Sequence, residues 1–255
     1  MTTLCADQLS VSIGPVQVCN ALDLEIHSSE RWCILGRNGA GKTTLLHTLC
    51  GLHPADKGQI LLNGHSLDSL PRRSLARGIG VLLQDHDNAF PATVLESALI
   101  GRHPWLGALQ WESDDDRARA HGALRETGLS GMETRMTDTL SGGEQRRLDL
   151  ATLLTQNPEV YLLDEPTNHL DLHHQVRILE LLRALAGEYE RAMCMTLHDI
   201  NMAVRYCNRF LLLFGAGETA QGSSEAVLTP ANLERLYRHE LRFIDTPDGP
   251  VWMPK

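Results

Sequence analysis

The sequence predicts an α/β fold built on a mainly parallel sheet. Three observations carry that expectation. Short apolar runs alternate with helical patterns after residue 157, the order of strand, helix and strand that gives a parallel sheet covered on both faces. A glycine-rich loop, Gly36-Arg37-Asn38-Gly39-Ala40-Gly41-Lys42-Thr43-Thr44, joins an apolar run to a helical one. A helix-dominated stretch over 85–157 interrupts the strand-rich pattern and reads as an inserted helical lobe.

The N-terminal part alternates apolar and polar residues. Leu9-Ser10-Val11-Ser12-Ile13 and Leu22-Asp23-Leu24-Glu25-Ile26 read as antiparallel strands, with Gly14-Pro15 as a turn signal between them. Trp32-Cys33-Ile34-Leu35 reads as a buried strand and Thr44 to Leu49 as a helix. Gln59 to Gly64 is a short strand ending in a turn, and Ile79 to Leu83 a buried strand that ends at Gln84. Helical patterns follow over Thr93 to Ile100, Asp114 to Thr127 and Gly142 to Thr155. Asp114-Asp115-Asp116 suits a solvated helix start, where the macrodipole favours negative charge. Val160 to Leu163, Ala192 to Leu197 and Phe210 to Phe214 are strands, and Leu172 to Ala186 and Ile200 to Tyr206 helices. The stretch from Gly217 reads as a short hairpin, two small helices and a final strand.

Composition narrows the class. The 255 residues are 42% hydrophobic, enough for a core without staples. No window approaches the roughly 18 apolar residues of a membrane span. The first residues lack the basic-then-apolar texture of a signal peptide, so a cytoplasmic protein is expected. The net charge of −9 argues against a nucleic-acid partner. Six scattered cysteines without a C-x-x-C pair read as reduced, mostly buried thiols, and His173-His174 as an exposed helix start.

Two stretches carry chemistry beside the glycine-rich loop. The loop fits Gly, four residues, Gly-Lys-Ser/Thr in full, in the order of strand, loop and helix that the mechanism needs. Its backbone N–H groups and the helix N-terminus favour a polyphosphate, with Lys42 reaching the β- and γ-phosphates and the Thr43 hydroxyl on Mg²⁺. Val160-Tyr161-Leu162-Leu163-Asp164-Glu165 sets two carboxylates at the C-terminal end of a buried strand, where α/β sheets bind ligands. Asp164 suits Mg²⁺, and Glu165 suits a general base that polarises the attacking water.

Leu140-Ser141-Gly142-Gly143-Glu144-Gln145 combines a helix cap with two glycines at a helix N-terminus, a second anion site. This hexapeptide matches the signature of ATP-binding-cassette ATPases, and the chain resembles that family over essentially its whole length. The motif order agrees: phosphate loop at Gly36, Gln84, signature at Ser141, Asp164-Glu165 and His198. The resemblance implies one cassette over 1–255. Its phosphate-loop NTPase core takes in an antiparallel β subdomain and a RecA-like part, over 1–84 and 158–255, with the helical subdomain over 85–157. It implies ATP and Mg²⁺ as ligands. It makes Gln84 the glutamine that touches the metal and the water, and His198 the switch histidine at the γ-phosphate. Asn168-His169-Leu170-Asp171 becomes the loop that crosses the dimer interface.

In that family Ser141, Gly142 and Gly143 of one copy close on the phosphate loop of a second, so a head-to-tail homodimer is implied. Ile13 occupies the place of the residue that usually stacks on adenine, and it is not aromatic. No membrane part is present, so two separate permease subunits and, through them, a substrate-binding protein are implied, at the cytoplasmic face of the cell membrane. Ala98 to Leu106 and Ala226-Val227-Leu228-Thr229-Pro230 look like the importer ATPases for iron–siderophore, haem and cobalamin. Molybdate or tungstate importers share those features, and exporters with separate membrane subunits stand as a further alternative. Soluble repair or translation cassettes fit less well: no long coiled coil lies between Gln84 and Ser141, and the chain holds one cassette.

Overall fold

A computed structural model describes residues 3–84, 91–107, 109–246 and 249–255. Strands β1 (Thr3–Ile13) and β2 (Val16–His27) form the expected antiparallel hairpin, longer than its apolar centres suggested. It turns at Gly14-Pro15, where Gly14 has φ +54°. Next come β3 (Arg31–Gly36), helix α1 (Lys42–Leu49), β4 (Lys57–Leu62) and the two-residue β5 (His65–Ser66). β4 pairs with the other edge of β1, giving a four-stranded antiparallel sheet in the order β2-β1-β4-β5.

The chain continues through α2 (Arg72–Gly78), β6 (Ile79–Leu82), α3 (Val94–Ile100), α4 (Asp114–Glu126) and α5 (Gly142–Gln156). It returns through β7 (Val160–Leu163), α6 (Leu172–Glu188), β8 (Ala192–Thr196), α7 (Ile200–Tyr206), β9 (Arg209–Gly215) and β10 (Glu218–Gly222). Short helices α8 (Ser224–Val227) and α9 (Pro230–Tyr237) precede strands β11 (Leu241–Thr246) and β12 (Gly249–Pro254). The central sheet runs β10-β9-β3-β8-β7-β6, parallel throughout except at β10.

The near-continuous apolar strands follow from burial on both faces. In β3, Cys33 and Leu35 point to one side of the sheet and Trp32 and Ile34 to the other. Tyr161 and Leu163 of β7 join the first side, against Leu179 and Leu182 of α6, while Val160 and Leu162 join the second. There Leu45 and Leu46 of α1 meet Leu9, Val11 and Ile26 of the hairpin. A separate core unites α3, α4 and α5 through Val94, Ala98, Ala120, Leu124, Leu148 and Ala151. Each of these three helices opens with a full capping box: Thr93 with Glu96, Ser113 with Asp116 and Ser141 with Glu144. α5 stops where Asn157 turns left-handed, one residue before Pro158.

The structure corrects three expectations. Asp116 is not a solvated end of the acidic triplet. It is 6% exposed and its Oδ1 accepts from Arg102 Nε at 2.6 Å, while Asp114 and Asp115 stay exposed. α2 had no counterpart in the sequence pattern. The single final strand is a two-stranded hairpin, β11 with β12. The cysteines behave as expected: all six are free thiols, and all but Cys5 are buried.

Candidate nucleotide site

The loop after β3 has the backbone a phosphate cradle needs. Gly39 and Gly41 have φ of +78° and +93°, a region that costs a residue with a Cβ roughly 1–2 kcal/mol. Gly41 is constrained twice, because a Cβ there would stand 2.4 Å from Val18 Cγ2 of β2. The β1–β2 hairpin is therefore packed directly on the loop. No side chain caps α1 and no acid sits in its first turn, which leaves its first N–H groups for an external anion. Lys42 is 8% exposed and spans the loop, its Nζ donating to Gly36 O at 2.9 Å and Arg37 O at 3.3 Å. Burial pushes the Lys42 pKa down, against the pull of Glu165 and Asp164 nearby. Thr43 is half-buried beside it. Arg37, Asn38 and Gly39 are exposed, and Gly36, Ala40 and Gly41 half-buried.

The two acids sit at the C-terminal end of β7, between β6 and β8, with β3 one strand further on. Asp164 is 1% exposed. Its Oδ1 accepts from Thr196 Oγ1 at 2.6 Å, while its Oδ2 is buried without a hydrogen-bond partner among the described residues. A buried carboxylate oxygen with no donor fits a hard divalent cation, which takes oxygen ligands. Glu165 follows with φ +49°, a left-handed conformation costing of order 1–3 kcal/mol in a residue with a side chain. Its surroundings hold it there. The Glu165 N–H donates to Thr196 Oγ1 at 2.8 Å, and the Arg146 guanidinium donates to the carbonyls of Leu83, Asp164 and Glu165. The Glu165 carboxylate is gripped on both oxygens, by His198 Nε2 at 2.5 Å from Oε1 and by Asn168 Nδ2 at 3.2 Å from Oε2.

A cleft of about 340 Å³ opens beside this group, lined by Gly36, Arg37, Asn38, Leu197, His198 and Tyr237. Ser141 and the two glycines after it do not line it. They lie at the start of α5, where Ser141 Oγ accepts from the Glu144 N–H at 3.3 Å and donates to Glu144 Oε2 at 2.8 Å. The N–H and hydroxyl of Ser141, helped by Arg135, hold the Glu144 carboxyl below the usual range. A Cβ on Gly143 would meet His169 O at 3.1 Å, so this turn rests against the loop that carries Asn168.

A family model described as ABC transporter matches residues 19–168. The chain belongs to the ABC transporter ATPases. It is 33% identical to the achromobactin transport ATP-binding protein of Dickeya dadantii (strain 3937), over 97% of this chain and 92% of that one. It is 36% identical to the hemin import ATP-binding protein of Burkholderia lata, over 98% of this chain and 99% of that one. Among solved structures, an inward-facing metal-chelate type ABC transporter superposes with a TM-score of 0.86 at 26% identity, covering 100% of this chain and 98% of that chain.

Within this ABC ATPase the structure gathers Lys42, Asp164, Glu165 and His198 around one sheet edge. Gln84 is exposed just past β6, next to Leu83, whose carbonyl Arg146 holds. The segment after it, 85–90, lies outside the described residues, and so does the start of the expected helical lobe. Ile13 ends β1 at the hairpin tip, 48% exposed. Two residues that organise the site were missed: Thr196 closes β8 in register beside the acids, and Arg146 lies one helical turn into α5. Asn168, expected only as part of the interface loop, also holds Glu165. The one sequence signal for Thr196 was its place as the polar end of an apolar strand.

Proposed function

We propose that this ABC ATPase is the ATP-hydrolysing subunit of an importer for metal chelates of the iron–siderophore or haem type. Identities of 33–36% over nearly the whole chain to achromobactin transport, siderophore transport and hemin import ATP-binding proteins carry this reading. ATP binds with its phosphates on the Gly36–Thr44 loop, neutralised by Lys42 and the α1 N-terminus. The donor set fits Mg²⁺: Asp164 Oδ2, the Thr43 hydroxyl and Gln84 are the residues to hold it. When bound, the ion neutralises the β- and γ-phosphate oxygens. Glu165 takes the proton of the attacking water, and His198 keeps the Glu165 carboxylate aimed and meets the γ-phosphate. Ile13 covers one face of the base without aromatic stacking.

One chain holds half of each complete site. The cleft at the phosphate loop leaves out Ser141–Gly143, and these stand ready for a second copy. Two chains related head to tail then share two ATP molecules and open after hydrolysis, a γ-phosphate switch. The helical part, 85–157, acts as a unit on the 1–84 and 158–255 core. No described helix is long and apolar enough to cross a membrane. Two permease subunits supply the channel, with a substrate-binding protein beyond them, and the ATPase works at the cytoplasmic face. Exposed Ile100, which lines a groove between β6 and α5 with Val81, Leu83 and Leu148, suits the permease contact.

Uptake of labelled chelates tests the reading. Deleting the chain is expected to abolish uptake of one ferric siderophore or haem from a panel, and the wild-type chain, not a Glu165→Gln variant, restores it. Loss of export with every uptake intact overturns the importer assignment.

A further inference from the structure

We propose that the chain carries a second ligand site, for a small polyvalent oxyanion, at the sheet edge opposite the phosphate loop. The parallel strands place Gly36, Asp164 and Thr196 at one end. At the other end, where β6, β7 and β8 begin, lies a cleft of about 410 Å³. Arg77, Arg191, His65, Ser74, Trp105 and Glu159 are among its lining residues.

The chain has a net charge of −9, yet two guanidiniums line this cleft and neither has an acid within 4.0 Å among the described residues. Among the described residues the Arg191 side chain keeps one hydrogen bond, to Asn157 Oδ1 at 2.9 Å, and its Nε is buried with no partner. An unmet buried N–H on a cation costs more than a neutral one and is offset by an anionic acceptor. Arg77 is held in place: its Nε donates to Pro104 O at 2.7 Å, and its guanidinium lies over the Trp105 ring at 4.9 Å. That leaves its terminal nitrogens for a ligand. Glu159 opposes an anion, but Asn63 Nδ2 donates to its Oε2 at 2.9 Å. Ser74 adds an exposed hydroxyl.

The walls also join separate elements. Trp105 Nε1 donates to Gln156 O at 2.8 Å, and Gln156 Nε2 donates to the carbonyls of Ala76 (2.6 Å) and Ile79 (3.1 Å). A ligand bridging Arg77 and Arg191 therefore fixes α2, the loop after α3 and the entry to β8 together, and through Asn157 the entry to β7. Carboxylates and phosphates share the required chemistry: several oxygens, more than one negative charge and a size that fits the cleft.

Calorimetric titration of the full chain with citrate and, separately, with pyrophosphate tests the site. A non-hydrolysable ATP analogue fills the phosphate loop throughout. Saturable binding of either probe is expected, and which one binds identifies the carboxylate or phosphate class. Arg191→Gln removes a charged donor, and Ser74→Glu adds repulsion without deleting any contact. Each is expected to weaken binding by at least about tenfold, with affinity for the ATP analogue and the melting temperature unchanged in Ser74→Glu. If neither probe saturates, or if Ser74→Glu binds both as the wild type does, the proposal is overturned.

Discussion

His198 Nε2 lies 2.5 Å from Glu165 Oε1, which ties the loop after β8 to the acid after β7. Among the described residues the other hold on that carboxylate is the longer bond from Asn168, at 3.2 Å. A general base acts through orientation before strength. His198→Ala is expected to lower kcat by about 10²-fold, the scale of lost acid–base organisation, while KM for ATP moves far less. Steady-state phosphate release measures both. A KM effect that exceeds the kcat effect would assign His198 to binding instead.

Thr196 serves two neighbours with one hydroxyl, accepting from the Glu165 N–H and donating to Asp164 Oδ1. Thr196→Val keeps the shape and leaves both partners buried and unmet, at about 1–3 kcal/mol each. A fall of roughly 5–10 °C in Tm is expected for a chain of this size, with Thr196→Ser recovering most of it. Thermal unfolding checks this, and an unchanged Tm in Thr196→Val would show that the pairing carries no stability.

Legibility followed locality. The phosphate loop, the acids after Val160–Leu163 and the helix that Ser141 caps are contiguous, so each shows in a short window. Thr196 and Arg146 act by reaching across elements, Thr196 to Asp164 and Glu165 and Arg146 to the carbonyls of Leu83, Asp164 and Glu165, and such reach leaves little mark in a short window. α2 escaped notice because seven residues behind Pro71, three of them arginines, show no helical period. Asp116 looked solvated because its two acidic neighbours are; its burial depends on Arg102, fourteen positions away. The terminal hairpin did carry a signal, Asp248-Gly249 between two apolar runs.

Asp116 gives a pH dependence. Burial raises its pKa, but the N–H and hydroxyl of Ser113 and the Arg102 guanidinium outweigh that and hold it at about 2. The folded value lies below the roughly 3.9 of a free aspartate. Its contribution is therefore full above about pH 4 and is lost as the pH falls toward about 2. In chemical denaturation, the stability gap between wild type and Asp116→Asn is expected to narrow over that window. A gap that stays constant would mean the charge contributes nothing.

Ile13 bears on base selection. Stacking of a base on an aromatic ring is worth about 1–3 kcal/mol, and isoleucine at the exposed hairpin tip lacks it. ATP and GTP are expected to bind with similar affinity, and Ile13→Tyr to tighten both. Competition titration measures the ratio, and a large preference for ATP in the wild type would contradict this role.

The most direct measurement is the behaviour of Glu165→Gln with ATP and Mg²⁺, followed by phosphate release and light scattering, with Lys42→Ala as the variant that loses nucleotide itself. The predicted result is turnover lower by at least about 10², nucleotide still bound, and a stable dimer holding two ATP. A monomer that hydrolyses ATP at the wild-type rate would contradict both the role of Glu165 and the two-chain site.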